Sequence, residues 1–209
     1  MGRDVGPGSR MCRREGMHLF LRGTKCDRGK CAADKRSTPP GQHGQGRIKL
    51  SNYGIQLREK QKVKRMYGLR ESQFRLYFTR AQKRRGVTGH ALLELLERRL
   101  DNVVYRSGLA SSRREGRQIV SHGGILVNDR RVDIPSFLVK AGDTVEALPV
   151  REGQRKRMKE NLERTKDRPV PAWLQLDRDQ LKSVIVRTPE RDDIGVPIQE
   201  QLIVELYSK

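Results

Sequence analysis

The chain has 209 residues, 34% of them hydrophobic and 33% charged, and its 45 Lys and Arg against 25 Asp and Glu give a net charge of +20. Such a balance points to a polyanionic partner, nucleic acid first and an anionic membrane surface second. No apolar run approaches the ~18 residues of a spanning helix and MGRDVGPGSRM lacks the hydrophobic stretch of a signal peptide, so a cytoplasmic chain with reduced thiols and no membrane partner is expected.

The charge is uneven. Residues 1–90 hold 23 Lys/Arg and 6 Asp/Glu, a net +17, while residues 91–150 contribute +1 and residues 151–209 contribute +2. The first 90 residues are therefore expected to lie along phosphates. Residues 1–50 read as a basic segment of loops and short turns, because Pro39-Pro40-Gly41 fits neither a helix interior nor a central strand. The segment also holds every cysteine, Cys12, Cys26 and Cys31. Cysteines clustered in a cytosolic chain are more often metal ligands than a disulfide framework. Three so close resemble a structural zinc site with one leg missing, since such sites take four ligands.

Helical patterns follow. Ser51 is a plausible N-cap for SNYGIQLREKQKVKRMYG, whose face carries Arg58, Lys60, Lys62, Lys64 and Arg65, with Gly68 as its stop. RESQFRLYFTRAQKRRG is a second helix ending at Gly86, and TGHALLELLERRLDNVVYRSG a clearly amphipathic third. Ser112 with Glu115 forms a capping box that starts a helix ended by Gly123. Near its start lie Arg113, Arg114 and Arg117, where backbone N–H groups already favour phosphate. A solvated basic face is the competing reading, because such faces are common on soluble proteins. ILV and RVDI then read as a hairpin, and SFLVK and TVEAL as two further strands. In the last third, REGQRKRMKENLERTKDR is a helix with one thin apolar line, and SVIVR and QLIVELY read as strands.

The stretches PPGQHG and YGIQLREKQKVKRMYG, the central RRLDNVVYRSGLASSRREGRQIVSHGGILVNDRRVDIPS and the closing LIVELYSK resemble, in order, the bacterial-type small ribosomal subunit protein family numbered four. The central module also occurs elsewhere; the first two stretches are the specific ones. The resemblance implies an α+β fold: a discontinuous, mostly helical domain from the N- and C-terminal segments, with an inserted RNA-binding module of two helices and a short, mostly antiparallel sheet. The expected division is 1–50 basic knuckle, 51–97 helical part of the first domain, 98–163 inserted module, and 164–209 tail packing back on the first domain. It implies a structural, non-enzymatic constituent of the small ribosomal subunit, a primary binder of its RNA that nucleates assembly of the body. It also implies a place at the messenger entrance beside the third and fifth small-subunit proteins, where Arg47 and Lys49 would meet incoming messenger RNA and serve translational accuracy. The RNA-contacting residues expected are Arg13, Arg14, His43, Arg47, Lys49, Arg58, Lys62, Arg65, Arg113, Arg114, Arg117 and His122.

In the metal-bearing members of that family, Cys12, Cys26 and Cys31 correspond to three of four zinc ligands, and Ser9 stands where the first belongs. Two outcomes stay open: His18, Asp27, His43 or a water completes a zinc site, or the cysteines are remnants without metal. Asn128-Asp129 replaces the usual Asn-Gly of the hairpin turn, and Gly116 replaces a more usual Ala at ~1 kcal/mol of helix propensity. Enzymes such as pseudouridine synthases append the same module, as do stand-alone stress factors. The former need a catalytic domain and the latter lack the basic region with PPGQHG. No P-loop or dinucleotide glycine pattern is present in the sequence. Aromatic residues at 5% argue for recognition of folded RNA by shape and phosphate over base stacking.

Overall fold

A computed structural model describes residues 6–46, 49–148 and 152–208. The helices are α1 (Gly8–Glu15), α2 (Thr24–Asp27), α3 (Ala32–Lys35), α4 (Asn52–Met66), α5 (Glu71–Gln82), α6 (Thr88–Glu97), α7 (Leu100–Arg106), α8 (Arg113–Ser121), α9 (Glu152–Arg164) and α10 (Glu200–Tyr207). The strands are β1 (Ile125–Val127), β2 (Arg130–Arg131), β3 (Thr144–Ala147), β4 (Leu174–Asp177) and β5 (Lys182–Ile185), in one antiparallel sheet of order β2-β1-β3-β5-β4. The architecture is α+β.

The chain divides into two compact units, Met1–Leu92 with Val196–Lys209, and Leu93–Gly195. The first is helical and discontinuous. The Ser51 hydroxyl accepts from Gly54 N at 3.2 Å and so caps α4. Val63 and Met66 of α4 are buried, as are Phe74, Phe78 and Ala81 of α5. QLIVELY, expected as a strand, is the helix α10. Its start is held by Glu59, whose carboxylate accepts from Gln199 N at 2.8 Å, and Gln56 Nε2 donates to Glu205 at 2.9 Å. Tyr207 stacks on Phe78 with ring centroids 4.5 Å apart and donates to Glu71 at 2.8 Å. A short apolar run fits strand and helix equally by periodicity; here its neighbour is a helix surface, α4.

In the second unit the expected boundary at residue 163 is replaced by one at Gly195. The reason is pairing: Thr144 to Glu146 of β3 lie in register with Val184 to Lys182 of β5, so residues 174–185 complete the sheet. Trp173, fully buried, shares a core with Val103, Val104, Ile125, Val145, Met158 and Leu162. SFLVK, expected as a strand, contributes only an isolated bridge between Arg99 and Leu138. The β1–β2 turn puts both Asn128 and Asp129 at positive φ, 49° and 63°, the geometry that right-twisted two-residue hairpins require. The Asn128 amide offsets the missing glycine, since its oxygen accepts from Thr144 N and its nitrogen donates to Asp143, both at 2.9 Å. Gly116 has a packing reason: a Cβ there would sit 2.6 Å from the Asp101 carbonyl oxygen, where α8 crosses α7.

Candidate nucleic-acid interface

The N-terminal knuckle is more ordered than its composition suggests. Met11, Leu19 and Leu21 are buried, and Cys12, Cys26 and Cys31 are all buried with free thiols. Cys31 is hydrogen-bonded through its side chain to both Cys12 and Cys26, while the backbones of Leu19 and Arg22 bond Cys12 and Cys26. Burial pushes the Cys12 thiol up to about 11 and raises Cys26 as well, since desolvation disfavours thiolate. Among the described residues no group of three or more His, Cys, Asp or Glu that could hold a metal ion is found. His18 Nε2 instead meets Asp34 Oδ1 at 2.8 Å, and Asp27 and His43 are exposed.

Around this core the knuckle presents exposed cations: Arg14, Lys25, Arg28, Lys30, Lys35 and Arg36. Arg13 is half-buried and fixed, its Nε donating to Thr38 O at 2.9 Å and its Nη2 to Pro39 O at 3.2 Å. His43 is exposed on the 3₁₀ turn Gln42–Gln45, and Lys49 is exposed beyond it. Arg47 lies outside the described residues.

The basic face of α4 is largely engaged within its own unit. Glu15, whose side chain is 1% exposed, takes both Arg58 at 3.3 Å and Arg65. Burial pushes the Glu15 carboxyl up against the pull of these two arginines. Lys62 donates to Pro197 O at 3.0 Å and pairs with Glu59 at 2.6 Å. Lys60 pairs with Glu71 at 2.6 Å. Arg58, Lys62 and Arg65 thus fasten α1 and the segment leading into α10 to α4.

The arginine edge of α8 is divided in the same way. Arg113 and Arg117 are buried. Arg113 Nε donates to Asn102 Oδ1 at 2.8 Å, and its guanidinium lies 4.5 Å from the Tyr105 ring centroid. Arg168 lies 4.4 Å from the same centroid. Arg117 reaches Asp101 at 3.4 Å, and the buried Arg99 forks onto that carboxylate at 2.6 and 3.0 Å. Asn102 also donates to Glu97, which accepts Arg106 at 2.7 and 3.0 Å. The network keeps a buried charge from standing alone, where it would be costly. Arg114 is half-exposed, and His122 is exposed just past the helix end. The expected three-arginine edge therefore presents Arg114 outward and uses Arg113 and Arg117 to seat α8 on α7.

Exposed cations that the sequence reading passed over include Arg75, Arg80, Lys83, Arg84 and Arg85, on α5 and just after it, and Arg130 and Arg131 on β2. In KRRG the signal available in the sequence is the unbroken run of charge, which the helix pattern alone does not weigh.

A family model described as the ribosomal protein S4/S9 N-terminal domain matches residues 3–97, and one described as the S4 domain matches residues 98–145. These matches, with the α+β fold and the outward cations, define the chain as a ribosomal protein carrying an S4 domain. Over all of its length and all of theirs, it is 58% identical to small ribosomal subunit protein uS4 of Trichlorobacter lovleyi, 56% identical to that of Pelotomaculum thermopropionicum and 57% identical to that of Geobacter sp. strain M21. The chain belongs to the uS4 family of small-subunit ribosomal proteins. Among the described residues no helix is long and apolar enough to cross a membrane.

Proposed function

We propose that this chain acts as a primary binder of small-subunit ribosomal RNA, docking on folded RNA early and helping to nucleate assembly of the subunit body in the cytoplasm. The observation that carries the reading is the set of exposed cations, Arg14, Lys25, Arg28, Lys30, Lys35 and Arg36, around a knuckle whose own core is closed, within a stretch of 90 residues that holds +17 of the net charge. In this reading Lys25, Arg28, Lys30 and Arg114 meet phosphates, with Arg13, Arg14, His43 and His122 at the RNA beside them. Arg113, Arg117, Arg58, Lys62 and Arg65 act by holding the elements that carry those groups. Arg47 and Lys49 follow the Pro/Gly turn and serve at the messenger entrance, beside the third and fifth small-subunit proteins. The three cysteines close the knuckle as small packed side chains.

The test is a titration of the full chain with a transcript of the 5′ region of small-subunit ribosomal RNA at several salt concentrations. Each phosphate neutralised adds about −0.7 to −0.9 to the slope of log K against log salt. A steep slope with preference over plain duplex RNA is expected. A flat slope, or equal affinity for any duplex, overturns the reading.

A further inference from the structure

Two concavities adjoin on the first unit, on either side of Arg13. One, of about 340 Å³, is lined by Arg14, Pro39, Leu50 and Arg58. The other, of about 560 Å³, is lined by Lys35, Arg36, Gln42 and Gln45. Arg13 and Pro39 border both. The first has an apolar wall that folding leaves uncovered: Leu50 is 48% exposed. The same cavity is lined by the guanidiniums of Arg14 and Arg58 and by Glu15, which holds Arg58 in place. The second cavity offers cations and amides. Arg13, pinned to the Thr38 and Pro39 carbonyls, forms a partition between them that is already in place before any ligand arrives.

We infer that this pair of cavities takes one unstacked RNA nucleotide, its base in the Leu50–Arg14 pocket and its flanking phosphates against Lys35 and Arg36. The inference rests on the proposed binding to ribosomal RNA and names the chemistry of one contact within it. Three observations select this ligand. Both volumes lie within the roughly 300–1,000 Å³ of small-ligand sites, too small for a duplex and suited to a single nucleotide unit. A cavity lined by both apolar side chains, Leu50 and Pro39, and guanidiniums suits the flat face of a base, which stacks on arginine planes as well as on aromatic rings. A cationic cavity lies next door, where the backbone of such a nucleotide must run. The scarcity of aromatic residues does not oppose this, because leucine, proline and arginine here take the place of an aromatic platform.

The full chain would be titrated with the 5′-region transcript described above, as wild type, Leu50→Ala, Arg14→Ala and the double variant Lys35→Ala/Arg36→Ala. Leu50→Ala is expected to weaken binding about tenfold with an unchanged salt slope, because it removes a stacking wall and no charge. Lys35→Ala/Arg36→Ala is expected to lower the slope by about 0.7 for each single-strand phosphate lost. Benzoylphenylalanine placed at position 50 should crosslink to one unpaired nucleotide, read as a single reverse-transcription stop. Adenosine, guanosine, cytidine and uridine monophosphates at millimolar concentration should leave the complex intact; displacement by any of them would make this a free-nucleotide site and overturn the assignment to RNA. Full affinity in Leu50→Ala, or stops scattered through paired regions, overturns the pocket while leaving ribosomal RNA binding standing. Failure of the wild-type chain to bind the transcript overturns both.

Discussion

Arg113 touches Tyr105 and Asn102 from within, whereas its neighbour Arg114 is half-exposed. Replacing Arg113 by Ala strands the Asn102 oxygen and opens a buried gap, at about 1–3 kcal/mol. The expected outcome is a thermal midpoint lower by several degrees, since 1 kcal/mol shifts a unit of ~100 residues by about 4–8 °C. Arg114→Ala should lower the midpoint less and appear mainly as weaker RNA binding; calorimetry beside a binding titration separates the two. Gly116→Ala sets two effects against each other. Helix propensity favours Ala by ~1 kcal/mol, but overpacking costs about 1–3 kcal/mol, and the contact at 2.6 Å is with rigid backbone. Net destabilisation is expected on urea unfolding; a gain in stability would show that α7 and α8 separate freely. The three thiols give a further prediction. With His18 engaged by Asp34 and Ser9 in the remaining place, elemental analysis of dialysed protein is expected to find zinc well below one per chain. A stoichiometric signal abolished by Cys26→Ser would establish the metal instead.

The start of α8 shows a local signal that was fully legible and one that was not. Ser112 Oγ accepts from Glu115 N at 3.2 Å, the first half of a capping box. The Glu115 carboxylate accepts instead from Ser111 N at 2.8 Å and also takes Arg157 at 2.7 Å, a contact 42 residues away that no local pattern reveals. Burial raises the Glu115 carboxyl, but hydrogen bonds from Ser111 and Asn161 and the charge of Arg157 outweigh it and hold the group below the usual glutamate range. A depressed folded pKa contributes stability above the unfolded value, about 4.3, and loses it as pH falls through the folded one. The gap in stability between wild type and Glu115→Gln should therefore be full at pH 6 and shrink below about pH 4, as read by urea unfolding across that span; a constant gap would remove the carboxylate from the cap. Other elements were legible in proportion to their length. The runs of α5 and α6 carry their period in the sequence, but TGHALLELLERRLDNVVYRSG, expected as one helix, breaks into α6 and α7 at Arg98–Arg99, where Arg99 bridges Leu138 and Leu100 N donates to Phe137 O at 2.9 Å. The four-residue helices α2 and α3 do not, because so short a helix is unstable alone and exists through packing. The strand expected at SFLVK failed for a similar reason: apolar residues there pack without a ladder partner beyond Arg99.

For the molecule as a whole, the distribution of charge and the order of the quoted stretches were enough to anticipate an α+β RNA-binding protein with a discontinuous first unit. The extent of the second unit was not, because membership of residues 174–185 depends on β5 finding β3 some forty residues earlier. The candidate interface was half legible. Cations are plain in a sequence, but whether one faces out or pairs inward depends on acids such as Glu15, Glu71 and Asp101 that only the fold brings near. The discontinuity has a consequence for how the protein is made. Gln56 and Glu205 are hydrogen-bonded across 149 positions, and α10 rests on a helix synthesised long before it. Residues 93–195 are contiguous and can be completed in a single pass of the growing chain. The first unit cannot: until translation reaches Tyr207, Phe78 lacks its stacking partner and Glu59 has no helix start to hold. For most of its synthesis, then, the most basic part of the protein exists as an unfinished polycation, in the one cellular setting richest in RNA.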